Sequence, residues 1–232
     1  MALRRADGVV LRTRLFAESD LIVEVFYDEA GRRAAIAKGA RRPGSRLGGT
    51  FDALNRVEVV FYEKPQLDLV SQGALLAPYS RLKSDLTAVT WALSIASVLV
   101  RMLPLHQPEP QAFHAFRGLL EALDATPDRA DPLCLATLLR LLTVLGHRPR
   151  FDVCVRCGKD RPPYTFSEEL GGVVCRACSG EQGELSAAAA RSLDALQRLP
   201  LDRACVVKLR AEDAAAGRAV LERFADWLGR GG

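Results

Sequence analysis

Short apolar runs broken by polar or glycine residues predict β structure up to Tyr79. Val9-Val10-Leu11, Leu21-Ile22-Val23-Glu24-Val25-Phe26 and Ala34-Ala35-Ile36-Ala37 come first, then Val57-Glu58-Val59-Val60-Phe61 and Leu67-Asp68-Leu69-Val70. Asp28-Glu29-Ala30-Gly31 falls between the second and third runs, where a hairpin connection belongs. Five short strands predict a small barrel, because closure removes the edges that an open sheet exposes. An OB-like barrel leads, and strand count alone leaves an SH3-like one open.

After Pro78-Tyr79 the apolar period becomes helical. One helix is expected from about Ser84 to Leu103, and a second after Pro108-Glu109-Pro110 carrying Phe113, Phe116, Leu119, Leu120 and Leu123. A third has Asp131 as expected N-cap, Pro132 at its first position and Gly146 past its end. Leucine on nearly every side places it in the middle of a bundle. Residues 151–180 form a Cys- and Gly-rich insert. Helix resumes after Ser186, an expected N-cap, to about Arg198, and a last amphipathic helix holds Val220, Phe224 and Leu228. The terminal Gly229-Arg230-Gly231-Gly232 is expected to fray. The predicted fold is therefore α+β and multidomain: an OB-like barrel (1–79), a helical domain in two parts (80–150 and 181–232), and a four-cysteine zinc finger (151–180) inserted between them.

Composition narrows the class without naming a function. The 232 residues are 49% hydrophobic and 26% charged, ordinary for a soluble globular protein. The apolar run Ala88–Val100 is interrupted by Arg101 and is shorter than a membrane span requires. No apolar signal segment follows Met1-Ala2-Leu3-Arg4-Arg5, so a cytoplasmic location is expected. A net charge of +4, from 32 basic and 28 acidic residues, is too small to establish nucleic-acid binding by itself. Its distribution has to.

Cys154-Val155-Arg156-Cys157-Gly158 and Cys175-Arg176-Ala177-Cys178 are two C-x2-C knuckles seventeen residues apart, the spacing of a four-cysteine zinc site. Two pairs in a reducing compartment favour metal over a redox motif or disulfides. Four thiolates fill the coordination of Zn2+, so the zinc is expected to be structural, stabilising a small insert by on the order of 10 kcal/mol. His106, His114 and His147 show no ligand spacing, and His147 is expected in an exposed loop. Cys134 and Cys205 stand in apolar surroundings and are expected in the core. Arg156, Lys159, Arg161 and Arg176 surround the knuckles. They serve either to offset the roughly −2 charge of a four-thiolate zinc or to contact DNA.

Between Glu29 and Asp52 no acidic residue occurs, while Arg32, Arg33, Lys38, Arg41, Arg42 and Arg46 all do. Arg41-Arg42-Pro43-Gly44-Ser45-Arg46 has the composition of a mobile exposed loop. Clustered guanidiniums on an OB-like barrel point to phosphate contacts. Six neutralised phosphates would give a log–log salt slope of about −4 on single strands. For base stacking, Phe26 and Phe61 are expected in the core; Tyr27, Phe51 and Tyr62 are candidates for exposure, and no platform is assigned.

Together these features resemble the RecO recombination mediators. The resemblance rests on Asp7-Gly8-Val9-Val10-Leu11-Arg12-Thr13-Arg14, Glu18-Ser19-Asp20-Leu21, Lys38-Gly39-Ala40-Arg41-Arg42 with Ser45-Arg46, and Cys154, Cys157-Gly158, Phe166 and Gly171-Gly172-Val173-Val174-Cys175. It is closest over barrel and finger and looser through the helices. It implies a nucleoid-associated protein that binds single- and double-stranded DNA and anneals complementary strands. The family works with RecR to place RecA on DNA coated by single-strand binding protein, whose acidic tail it contacts. The residues carried over are Lys38, Arg41, Arg42 and Arg46. No enzyme is expected: the metal site is saturated, and neither an H-E-x-x-H motif, a phosphate-cradling Gly loop nor a framed carboxylate pair is present. The competing reading is a zinc-stabilised RNA-binding or protein-binding adaptor.

Overall fold

Alternation of inward and outward side chains carries the first part of the chain into a barrel. The computed structural model describes residues 2–231, which divide after Asp124 into two units. In the first, β1 (Leu3–Phe16), β2 (Asp20–Tyr27), β3 (Gly31–Ala37), β4 (Arg56–Tyr62) and β5 (Asp68–Ala77) close in the order β1-β2-β3-β5-β4. All neighbours are antiparallel except β3 and β5. This five-stranded Greek-key closure is OB-like and answers the question that strand count left open.

β1 is far longer than its apolar run. Its first half pairs with β4 and its second half with β2, so only the shared middle, Gly8–Leu11, is buried throughout. Leu11 is the bulge between the two registers. Gly31 ends the β2–β3 turn at φ 69°, and a Cβ there would lie 2.1 Å from the Gln107 carbonyl oxygen. No side chain fits.

The parallel seam is short, pairing only Ala35 with Asp68 and Ile36 with Leu69. Inward alternation on β3 places Arg33 beside Ala35 and Ala37 in the interior. Its Nε donates to Asp68 Oδ2 at 2.5 Å and its Nη2 to Oδ1 at 3.0 Å, while the guanidinium lies 5.3 Å from the Phe61 ring centroid. Asp68 also accepts from the Lys64 amide at 2.9 Å. This bidentate pair spans the seam where backbone pairing is thinnest.

Three helices complete the first unit: α1 (Ser80–Ser84), α2 (Leu86–Met102) and α3 (Pro110–Ala125). The helix predicted from about Ser84 to Leu103 is α2, and the short α1 before it was not predicted. Asp85, in extended conformation, separates the two and caps α2 by accepting from the Ala88 amide at 2.8 Å. Asp124 caps α1 through the Arg81 and Leu82 amides. α3 covers one end of the outer barrel face, where Phe113 meets Phe26 edge-on at 5.6 Å.

In the second unit α4 (Ala130–Val144) is central, with eleven of its fifteen residues buried, and packs on α6 (Ala187–Arg198) and α8 (Ala211–Gly229). Asp131 is not its N-cap. A 3-10 turn, Pro127–Arg129, leads directly into the helix, so Asp131 lies in the first turn, where its charge complements the helix dipole. Ser186 does cap α6, accepting from the Ala189 amide at 2.9 Å. Its hydroxyl donates to Asp213 at 2.7 Å. A hairpin of β6 (Tyr164–Ser167) and β7 (Gly172–Cys175), then α5 (Arg176–Ser179), form the insert. A short helix, α7 (Leu201–Ala204), escaped prediction because four residues carry no period. α8 continues through Gly229, and turn bonds hold Arg230 and Gly231; Gly232 lies outside the described residues.

Removing Asp68 leaves the buried Arg33 guanidinium with only the partly exposed Glu63, at 3.3 Å, as counter-charge. Asp68→Ala is expected to destabilise the first unit by about 3–5 kcal/mol in urea unfolding. A loss below about 1 kcal/mol would mean that the seam closes without it.

Candidate nucleic-acid face and metal centre

The segment after β3 is a ledge of successive turns. Successive turns join Arg42 to Gly39, Ser45 to Arg42, Gly48 to Ser45 and Thr50 to Leu47, with N···O distances of 3.0–3.2 Å. The ledge is tied to the β1–β2 turn: the Gly39 amide donates to Asp20 Oδ1 at 2.8 Å, the Arg41 amide to Ser19 O at 2.9 Å, and Arg41 Nη1 to Glu18 O at 3.0 Å. Underneath, Phe51 is 1% exposed in the barrel core and Leu47 packs against it.

Lys38, Arg41, Arg42 and Arg46 are exposed on this ledge, and none has a carboxylate partner among the described residues. Arg32 and Arg33 do not join them. Arg33 is inside the barrel with Asp68, as above. Arg32 donates to Glu24 Oε2 at 2.7 Å and to Leu103 O at 2.9 Å, so it ties β3 to the end of α2. Both guanidiniums are spent internally, which removes them as phosphate contacts. Sequence alone shows a basic run; strand alternation and two distant acids decide the fate of its first two members.

Two basic residues of the open outer face escaped the sequence reading. Arg12 and Arg14 project outward from β1 with half-exposed side chains, and Arg12 and Arg32 share the buried Glu24. The signal was the alternation Arg12, Arg14, Phe16. Of the aromatic candidates, Tyr27 and Phe51 are buried and stack inside the barrel or under the ledge, while Tyr62 is exposed, as is Phe16 at 44%.

The four cysteines of the two knuckles come together. Their sulfurs lie within 4.8 Å of one another, and Cys157 Sγ is 3.8 Å from Cys175 Sγ. Tetrahedral thiolate ligation at about 2.3 Å places sulfurs about 3.8 Å apart, so the donor set fits such an ion. The first knuckle turns on Gly158 (φ 70°), whose amide donates to Cys154 O at 2.8 Å. Val155 N donates to Val173 O at 2.9 Å, which stitches this knuckle to β7, at whose end Cys175 stands. Within the insert Phe151 stacks on Phe166, which meets Phe224 of α8 edge-on, and Arg223 of α8 binds Glu184 and Glu168.

Burial pushes the Cys154 thiol up, but amide donors from Cys175, Cys157 and Arg156 outweigh it and bring the thiol down to about 6. Hydrogen bonds with the Cys157 and Cys175 thiols push Cys178 up to about 12. An incoming metal must therefore displace the Cys178 proton. Arg156 Nη1 donates to Cys178 O at 2.9 Å, clamping one knuckle to the other, while Lys159, Arg161 and Arg176 are exposed around them. Cys134 is buried, as expected; Cys205 is only half-buried, because it follows the short α7, with its thiol on Asp202 O. His147 is exposed.

Fold and site thus define a protein with an OB-type barrel and a helical unit that carries a four-thiol centre able to hold a metal ion. No helix among the described residues is long and apolar enough to cross a membrane. The chain matches the family descriptions "Recombination protein O N terminal" over residues 1–79 and "Recombination protein O C terminal" over 83–230. It is 32% identical over 223 residues to the DNA repair protein RecO of Symbiobacterium thermophilum, covering 93% of this chain and 88% of that protein. Its identity to the RecO of Frankia casuarinae is 35% over 223 residues, covering 94% and 91%. With the RecO of Cutibacterium acnes it is 36% over 180 residues, covering 75% and 73%. The chain belongs to the RecO family of DNA repair and recombination proteins.

The thiol chemistry sets a pH dependence. Cys154 lies below its ordinary value, so thiolate-dependent stability is present above the usual thiol range and is lost as pH falls through about 6. Metal affinity is expected to fall on acidification with net proton uptake per ion released, followed with a chromophoric chelator. Cys154→Ser should lower the bound metal per chain; a full complement in that variant would exclude Cys154 as a ligand.

Proposed function

We propose that this protein is a non-enzymatic recombination mediator that binds single- and double-stranded DNA through the ledge of Lys38, Arg41, Arg42 and Arg46 and anneals complementary strands. The observation that carries the reading is four exposed guanidinium or ammonium groups, without a carboxylate partner among the described residues, held by successive turns beside an OB-type barrel face. Phosphate recognition needs cations of this kind, and hydrogen-bonded turns reduce the ordering cost of binding. Family membership supports the remaining roles: work with RecR to load RecA, on DNA coated by single-strand binding protein, in the cytoplasm at the nucleoid.

Zinc is the ion that best suits four thiolates. It would leave no open coordination position and so serve structure, with Cys154, Cys157, Cys175 and Cys178 as ligands. Arg156 holds the knuckles together, and Lys159, Arg161 and Arg176 are available either to offset the thiolate charge or to extend the DNA surface.

The decisive test is annealing of complementary strands without nucleotide, in the presence and absence of single-strand binding protein, with binding titrated against salt. Four phosphate contacts predict a log–log slope of about −3 on single strands, shallower than the six basic residues of the sequence imply. Arg41→Ala with Arg42→Ala should flatten it by about 1.4 and leave the melting temperature unchanged. An unaltered slope in that variant would remove the ledge from the interface. Tighter binding to matched RNA than to DNA would favour the adaptor reading instead.

A further inference from the structure

The outer face of β1, β2 and β3 is only half covered. Register aligns Arg12 with Glu24, Arg14 with Ile22 and Phe16 with Asp20, and aligns Ile22 with Ile36 on the next strand. Val23 and Val25, which alternate with these positions, are core residues, so this set faces outward. At one end of the face Phe26 lies under Phe113 of α3 and Arg32 is bonded to Leu103 O. At the other end Phe16 is 44% exposed.

Phe16 is also held in place. It is the last residue of β1, followed by Ala17 at φ 51° in the tight turn to β2. That turn supplies the Ser19, Glu18 and Asp20 groups that anchor Gly39 and Arg41. The ring therefore stands next to the turn to which the ledge of Lys38, Arg41 and Arg42 is tied, two residues beyond Arg14 on β1. Ile22 and Ile36 form an apolar floor beside it. This is the chemistry of an unpaired nucleic-acid strand, which offers phosphates to cations at intervals and π faces between them.

We infer that Phe16 is a base-stacking residue and that single-stranded DNA crosses the open half of this face, its phosphates meeting the ledge. The inference rests on the DNA-binding reading and deepens it: the ledge supplies charge, and Phe16 supplies the preference for unpaired bases. A duplex presents phosphates but keeps its bases stacked within, so the ring has no partner there.

The test compares an oligothymidylate with an abasic strand of equal length and charge, using the full protein. Wild type should bind the base-bearing strand about tenfold more tightly, the worth of one stacked base. Phe16→Ala and Phe16→Leu should abolish that gap while preserving salt slope and melting temperature, and Phe16→Trp should retain it. A gap that persists in Phe16→Ala, or a Phe16→Leu variant indistinguishable from wild type, overturns the assignment. Salt-sensitive binding by wild type with no gap between strands overturns the stacking alone. Absence of any salt-sensitive binding overturns the ledge and the stacking together.

Discussion

The bidentate pair between Arg33 and Asp68 joins the two strands whose pairing closes the barrel. Backbone pairing between β3 and β5 covers only two register positions. A carboxylate that is 1% exposed and a guanidinium stacked near Phe61 complete it, with the Lys64 amide satisfying a further lone pair. Such a pair adds little net stability over well-packed apolar residues, because desolvation offsets much of the attraction. What it adds is register: only one alignment of β3 and β5 brings the two charges together.

Closure in turn sets the outer face. Once Arg33 points inward, Arg32 must point outward, where Glu24 and the Leu103 carbonyl take it up. Arg12 converges on the same Glu24 from β1, so one buried carboxylate orders cations from two strands. The β1–β2 turn then anchors the ledge after β3. The exposed charge of the ledge is in that sense a remainder, what is left without a carboxylate after the barrel has neutralised what it buries.

The second unit solves a different problem. Its insert has only short strands and one aromatic stack, and a segment of that size lacks the apolar area to hold itself. Thiol clustering substitutes for core: amide donors draw Cys154 towards the thiolate, and Arg156 braces the opposite knuckle. Arg223 fastens the hairpin to α8 through Glu184 and Glu168.

Much of this architecture is legible in local pattern. Period-two alternation marks the strands, C-x2-C spacing marks the thiol cluster, and Ser186 and Gly31 mark a helix start and a turn, because each signal acts over a few residues. Other outcomes need partners far along the chain. Whether Arg32 and Arg33 reach solvent depends on Glu24, Asp68 and Leu103. Asp85 and Asp131 could each be read as a helix cap, and only the backbone entering each helix separates them. The amino-acid sequence by itself determined the periods, the turns and the ligand spacing, which are properties of neighbours. The tertiary structure alone decided which cations and rings are consumed internally and which face outward, since burial and ion pairing are settled between residues that meet only when the chain has folded.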